Sequence, residues 1–458
     1  MNRGGTEIND LPLVVCRGSF SFERGIESMS KTNKFQRPKG TADILPGEIE
    51  IWQKIEATAR EVFRLYGYEG IRTPMFENLE LFDRSAGETS DIVEKQMYDF
   101  DDKGGRHIAL RPEGTAGVAR AYVENKLYGP EYPKPYKVYY MGPMFRYERP
   151  QSGRQRQFTQ IGCEALNNES PQVDVETIAM AMEFFKRLGV ADKLKVTINC
   201  LGDKETRDAY REKLIDYLKP FYDQLSDDSK RRLYRNPLRV LDSKDEADKK
   251  IVANAPSILD CLSDYSQKYF TAVKQQLDDL GIKYEIDPDM VRGLDYYNQT
   301  IFEIMSDSKV FGGNWVTVCG GGRYNGLIAQ VGGPDNGGIG FGIGVERLLL
   351  LLNEENPNFA PKPGLDLYFT APDEDGSNYA FKLMIKLRDK NVAADKDYEG
   401  RKLGTQIKEA ARRNAKYFTV IGDREIDSGQ LTLKNTQSGD KVAVSVDDLL
   451  TDPQKYLA

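Results

Sequence analysis

The sequence predicts an α+β fold in which an antiparallel sheet flanked by helices is interrupted by a helical insertion and followed by a separate C-terminal α/β domain. Three observations carry this expectation. Strand patterns over Lys137–Glu148 and Gln157–Ala165 are joined by the polar, basic loop Arg149–Arg156, which makes an antiparallel hairpin. Residues 203–280 are dominated by charged and helix-forming types with little strand signal. Beyond a proline-rich stretch, strand and helix patterns alternate to the end of the chain, the mark of a small α/β unit.

In chain order, residues 1–28 read as a tag or disordered extension and residues 29–355 as the main domain, with the helical insertion at about 203–280. From Pro46 to Tyr66 the apolar residues Ile49, Trp52, Ile55, Ala59, Val62, Phe63 and Tyr66 recur every three or four positions and Gly67 follows, predicting an amphipathic helix with a C-terminal stop. Gly70–Pro74 is extended, and its proline places it at a strand end or edge. A helix starts near Ala116, and strand signals return at Thr300–Met305 and around Gly338. Residues 356–364 are the linker, stiffened by prolines. In 365–458, strands are expected at Leu365–Ala371, Tyr417–Ile421, Leu431–Lys434 and Val442–Val446, with helices at Tyr379–Asp389 and Leu403–Asn414.

Composition narrows the chemistry. At 458 residues the chain is long enough for two or three domains. Lys+Arg 64 against Asp+Glu 71 gives a net charge of -7, which argues against a nucleic-acid partner held by bulk charge. A single histidine, His107, rules out a two-histidine zinc site and would force any Ser-His or Cys-His mechanism through that one residue. No metal-ligand set is predicted. The scattered cysteines Cys16, Cys163, Cys200, Cys261 and Cys319 imply buried thiols in a reducing cytoplasm. No stretch approaches the ~18 apolar residues of a membrane span, so no membrane partner is expected.

Chemistry-bearing residues gather in a few segments. In Gly338-Ile339-Gly340-Phe341-Gly342-Ile343-Gly344-Val345-Glu346-Arg347, alternation leaves one strand face bare, a floor for a flat group beneath the Arg347 guanidinium, or a site of tight helix packing. On the hairpin, Arg146 and Glu148 share a face of one strand, and Gln160, Gly162 and Glu164 a face of the other; this is a polar site or a solvated sheet face. Arg149, Arg154 and Arg156 in the loop are placed to close over a polyphosphate. Glu113-Gly114-Thr115 suits an ammonium group, or a turn before a helix. Arg292-Gly293-Leu294-Asp295-Tyr296-Tyr297 reads as a turn, and Gly320-Gly321-Gly322-Arg323-Tyr324-Asn325-Gly326 as a loop that can approach a ligand or, equally, as a hairpin or bulge.

Together and in this order the segments resemble the histidyl-tRNA synthetases, class II aminoacyl-tRNA synthetases, from about Lys34 to the C-terminus. The helix Pro46–Tyr66 leading to Pro74 is similar to motif 1, a dimer element. Phe145-Arg146-Tyr147-Glu148 with Gln157–Glu164 resembles motif 2, and Gly340–Arg347 motif 3. Arg292–Tyr297 and Gly321-Gly322-Arg323-Tyr324 resemble the two histidine-specific signatures. The resemblance implies a cytoplasmic homodimer that activates L-histidine with ATP and Mg²⁺ to histidyl-adenylate and pyrophosphate, then transfers histidine to the 3′ end of tRNA-His. It implies a class II catalytic sheet and a C-terminal anticodon-binding domain. It assigns ATP to Arg146, Glu148, Arg154 and Arg347, with catalysis by Arg292 and Arg146. Histidine falls to Glu113, Gly114, Thr115, Gln160, Glu164, Tyr296, Tyr297 and Tyr324, with Glu164 and Tyr297 on the imidazole. Gln155 and Thr159 depart from the family pattern, which commonly has an aromatic at the first and a histidine or aromatic at the second. A non-enzymatic relative, the regulatory subunit of ATP phosphoribosyltransferase, generally lacks the C-terminal domain and has degraded signatures, whereas Arg146, Arg292 and Arg347 all stand here.

The acidic net charge conceals a local reversal. Between Arg401 and Lys416, Arg401, Lys402, Lys408, Arg412, Arg413 and Lys416 face the single acid Glu409. With the resemblance, this stripe is the expected tRNA contact, phosphates being met by the cations and sequence read on splayed bases. Without it, the stripe is an ordinary solvated helix face.

Overall fold

A computed structural model of the chain describes residues 35–86, 92–360 and 363–457. The extension expected at residues 1–28, and Cys16 within it, lie outside the described residues. The amphipathic helix forms over Ile49–Leu65, burying Trp52, Ile55, Ala59, Val62 and Phe63, and Gly67 follows at a φ of 76° that favours glycine. Strand β1 (Glu69–Gly70) follows, and then a small sheet of β2 (Phe76–Asn78), β3 (Tyr98–Asp101) and β4 (His107–Leu110) in the order β2-β4-β3, which the sequence pattern did not indicate.

The main sheet adds β5 (Tyr136–Phe145), β6 (Gln157–Leu166), β7 (Lys195–Cys200), β8 (Tyr284–Ile286), β9 (Asn298–Ser306), β10 (Val316–Arg323) and β11 (Gly338–Gly344). Its eight strands run β1-β5-β6-β11-β10-β9-β7-β8, antiparallel except for the outer pairs β1–β5 and β7–β8. Register places Gly340 opposite Glu164 and Tyr140 opposite Gly162.

Alternation divides the sheet into two faces. Ile161, Cys163, Ile339, Phe341, Ile343, Phe302 and Ile304 enter one core with the helices Ile49–Leu65, Pro171–Arg187, Asp264–Asp279 and Val345–Glu355. The opposite face, with Tyr140, Ile301, Tyr296, Tyr297 and Tyr324, meets the helix Thr115–Glu124 and the insertion through Tyr210, Leu214 and Leu233. The span 203–280 is helical apart from its turns, as expected. Its last helix, Asp264–Asp279, is not part of a detached lobe, because Tyr269, Phe270, Val273 and Leu277 give it an apolar stripe that fills the main core.

Two local expectations are corrected. Of the two readings of Gly320–Arg323 the loop fails and the bulge holds: these residues end the central strand β10 with a register shift between Gly322 and Arg323, and bare backbone is required, since a methyl on Gly321 would stand 2.2 Å from the Gly340 carbonyl oxygen. Arg146 and Glu148 are not strand residues, since β5 ends at Phe145 and both occupy the first turn of the loop.

In the C-terminal region, β12 (Leu367–Thr370), β13 (Ala394–Lys396), β14 (Tyr417–Val420), β15 (Gln430–Asn435) and β16 (Lys441–Ser445) form a second sheet in the order β13-β12-β14-β15-β16. The first three are parallel and the last pairings antiparallel. Leu367, Phe369, Leu383, Met384, Leu387, Ile421, Leu431 and Leu433 make its own core. The helix expected from Tyr379 begins at Glu374, because the Asp373 carboxylate accepts the Gly376 N–H as an N-cap.

Candidate active site

A cleft of about 390 Å³ opens on the glycine-bearing face of the main sheet. The sequence predicts a bare floor there, and the structure fills most of it. A methyl on Gly338 would stand 2.3 Å from the Tyr324 ring, one on Gly340 1.9 Å from Glu164 Oε2, and one on Gly342 2.3 Å from Gln160 Nε2. The missing side chains of β11 therefore make room for three polar side chains carried by neighbouring segments. Only Gly344 has open space above it, beside Arg347 at the start of the next helix.

At one end of the cleft, Glu164 is 1% exposed and accepts hydrogen bonds from Thr115 Oγ1 at 2.8 Å, Tyr140 OH at 3.3 Å and Tyr324 OH at 2.5 Å. Burial pushes its carboxyl up to about 8 against the pull of these hydroxyls, and the neighbouring Glu113 adds to the rise. Glu113 is itself buried and raised for that reason, although its oxygens accept the N–H groups of Thr115 (2.5 Å) and Ala116 (2.9 Å) at the helix start. Gly114 acts by close packing, since a methyl there would strike the Tyr140 ring at 2.3 Å. Tyr296 and Tyr297 pack with ring centres 4.6 Å apart and planes tilted by 47°, and Tyr324 meets Tyr296 edge-on at 5.6 Å.

Four arginines line the same cleft. Arg146 Nε donates to the Pro112 carbonyl at 2.8 Å and its guanidinium lies 5.2 Å from the Phe158 ring centre. Arg347 Nη1 donates to the Thr317 carbonyl at 2.7 Å. Arg154, from the hairpin loop, pairs with Glu148 at 3.5 Å, and the loop tip is pressed on Arg347 at Gly153. Arg292 pairs with Glu303 at 2.5 Å over the floor of β10.

The structure thus brings Glu113, Thr115, Arg146, Glu148, Arg154, Gln160, Arg292, Tyr296, Tyr297 and Arg347 to one cleft, with Gly114, Glu164 and Tyr324 directly behind its wall. Gln155 also lines it, whereas Thr159 is a packing point whose N–H donates to Glu346 at 2.7 Å. His107 stays away, held on β4 between Asp101 (2.8 Å) and Asp99 (3.0 Å).

The basic stripe of the C-terminal region is more neutralised than its sequence implies. Arg401 pairs with Asp397, Arg412 with Glu409, and Arg413 with Asp395. Lys402 and Lys408 are exposed, and Lys416 is exposed near the Tyr417 ring. Beside Arg401, the Tyr398 ring is 61% exposed with Lys396 Nζ 4.6 Å from its centre.

Comparison with known proteins gives these features a family. The pattern of the histidyl-tRNA synthetase family matches residues 40–348, and that of an anticodon binding domain matches residues 366–454. The chain belongs to the histidyl-tRNA synthetase family. The histidine–tRNA ligase of Limosilactobacillus fermentum is 58% identical over 419 residues, covering 92% of this chain and 97% of that protein. That of Pediococcus pentosaceus is 59% identical over 418 residues, covering 91% and 98%. The apo histidyl-tRNA synthetase of S. aureus superposes with a TM-score of 0.78 at 41% identity, over 91% of this chain and 99% of that one.

Sequence reasoning missed Tyr140, Glu303 and Thr317, which also line this synthetase-family cleft. Tyr140 could have been found from register, since it lies opposite the glycine of the polar hairpin face. Glu303 left one signal, a lone carboxylate inside the apolar run Thr300–Met305.

Proposed function

We propose that this chain is a histidine–tRNA ligase that joins L-histidine to tRNA-His through histidyl-adenylate. The observation that carries this reading is one cleft lined by four arginines, with a buried, hydroxyl-ringed carboxylate directly behind its wall. Glu113, Thr115 and Gln160 hold the α-ammonium end of histidine. The imidazole reaches Glu164 by replacing its longest partner, Tyr140, and meets Tyr297 on the other nitrogen. An apolar amino acid would leave these buried groups unpaired, which is how such a site discriminates strongly.

ATP lies toward Gly344, its adenine edge near Glu148 and its phosphates between Arg146, Arg154 and Arg347. One histidine carboxylate oxygen attacks the α-phosphorus in line, the bond to the bridging oxygen breaks, and pyrophosphate leaves with that electron pair. Arg292 and Arg146, already in place, stabilise the charge on the α-phosphate oxygens, so little reorganisation is needed. The terminal ribose hydroxyl of the tRNA then attacks the adenylate carbonyl and AMP departs. Mg²⁺, a hard cation that takes oxygen ligands, would be carried in on the triphosphate oxygens. It would share the triphosphate charge with the arginines.

The C-terminal region, residues 365–458, reads the anticodon, Lys402, Lys408 and Lys416 meeting phosphates and Tyr398 offering a stacking surface for an unpaired base. The ion-paired Arg401, Arg412 and Arg413 contribute only by exchanging carboxylate for phosphate. Leu65, Met75 and Phe76, on the first helix and at β2, are exposed apolar residues that a homodimer contact would cover. The buried free thiols Cys163, Cys200 and Cys319 suit a reducing cytoplasm, and no helix among the described residues is long and apolar enough to cross a membrane.

The test is ATP–pyrophosphate exchange with a panel of amino acids. Exchange with histidine alone supports the reading, and a folded protein without histidine-dependent exchange overturns it. Arg292→Ala should bind histidine and ATP while exchange falls by about 10²-fold or more, the loss expected when a transition-state donor is removed. Alanine at Lys402 or Lys408 should weaken tRNA and lower the salt slope of binding by about one for each lysine.

A further inference from the structure

We infer that Glu303 is the positioning residue for the catalytic arginine, and that Glu303 and Thr317 tie Arg292 to Arg347 as one unit. The inference rests on the activation reaction proposed above.

The geometry begins at β9, where Glu303 projects onto the cleft face between Phe302 and Ile304, which point into the opposite core. Its Oε1 accepts from Arg292 Nη1 at 2.5 Å and its Oε2 accepts from Thr317 Oγ1 at 2.7 Å. The carbonyl of the same Thr317 accepts from Arg347 Nη1 at 2.7 Å. One carboxylate and one threonine thus connect the two arginines across adjacent strands.

The guanidinium of Arg292 lies flat on β10, since a methyl on Gly320 would stand 2.5 Å from Nη2 and 2.6 Å from Nη1. Its far side is bounded by Tyr297, whose ring centre is 5.4 Å from Cζ. Glu303 takes Nη1 and leaves the Nε–Nη2 edge for a ligand. Nε is buried and has no hydrogen-bond partner among the described residues. A buried donor without an acceptor is costly, and an oxyanion on that edge would satisfy it bidentately. Glu303 therefore orients the arginine from behind and supplies no contact to substrate. Thr317 fixes the second carboxylate oxygen, so the carboxylate cannot rotate out of the plane that Arg292 needs.

The experiment is steady-state exchange kinetics on the full-length protein, with thermal unfolding as a check. Glu303→Ala should lower the activation kcat on the order of 10²-fold, the scale at which a catalytic group about 1 Å out of place loses efficiency, with KM for histidine and ATP within about threefold. Glu303→Gln, which keeps an acceptor for Arg292, should recover most of that loss. Thr317→Val should show a smaller loss of the same kind. The deciding measurement is a double-mutant cycle: in Arg292→Ala, the further change Glu303→Ala should cost nothing, because the residue acts through that arginine. Independent, multiplying losses would overturn the inference, as would a fall seen only in KM or only in melting temperature. Wild-type protein inactive with histidine would instead overturn the proposed activity, so the two failures are distinguishable.

Discussion

Histidine binding should follow a bell-shaped pH profile whose alkaline limb belongs to Glu164. With its carboxyl near 8, the empty site holds a proton at pH 7, while the free imidazole, near 6.5, is mostly neutral. The complex needs one proton between them, whichever partner carries it. Between about pH 6.5 and 8 the free components already hold that one proton, so affinity is greatest near 7.2. Above 8 a proton must be taken up on binding, and affinity falls about tenfold, or about 1.4 kcal/mol, per pH unit; below 6.5 one must be released, with the same slope. An ordinary glutamate near 4.5 would instead place the optimum at about 5.5. The assay is calorimetric titration of histidine from pH 5.5 to 9.5 in two buffers of different ionisation heat. Glu164→Gln should bind more weakly at neutral pH and lose the Glu164 limb, so the ratio of wild-type to variant affinity falls about fivefold from pH 8 to 9. The ligand α-amino group titrates in both proteins and cancels in that ratio. A ratio that stays flat across this range would refute both the raised carboxyl and its contact with the imidazole.

Other consequences are equally open to measurement. Because burial raises Glu164 to about 8 and Glu346 to about 7, the folded chain keeps protons that the unfolded chain releases, so stability should be highest near or below pH 4.5 as far as these groups are concerned and fall as pH rises through 7 and 8. Melting temperatures should show Glu164→Gln losing less stability than wild type between pH 6 and 9; parallel declines would count against it. Gly340→Ala should abolish exchange and lower the melting temperature, as its methyl falls 1.9 Å from Glu164 Oε2 and 2.2 Å from the Cys163 carbonyl oxygen. Gly344→Ala, with nothing within 4 Å, should melt like wild type and raise KM for ATP. In the buried Asp174–Arg323 pair, where Asp174 also accepts from Tyr269 OH at 3.1 Å, Asp174→Asn should cost about 3–5 kcal/mol in urea unfolding by leaving Arg323 uncompensated.

What could be read beforehand depended on how local the determinants were. The first helix, the hairpin β5–β6 and most C-terminal elements follow from periodicity within a dozen residues or so. Gly320–Arg323 could not be so read: three successive glycines look like a loop, and only the crowding of β9 and β11 on either side makes them a strand. The small sheet β2-β4-β3 consists of runs too short to show a period. At the site, arginines and carboxylates within recognisable segments were legible, whereas Glu303 and Thr317 gain meaning only from the pairing of β9 with β10. The partial neutralisation of the basic stripe was not legible because Asp395 and Asp397 precede it in sequence and fold back on it.

The glycines of β11 bear on how such a pocket can change its amino acid. Gly340 and Gly342 are the complements of Glu164 and Gln160, each empty position sized to the side chain that occupies it. A lone change of size on either partner produces a clash or a hole, unlike an isosteric exchange such as Glu164→Gln. Drift toward another substrate must therefore pass through coordinated pairs on adjacent strands, a step that point mutation seldom supplies. Redesign of this pocket that changes side-chain size would have to vary positions 340 with 164, and 342 with 160, in the same library.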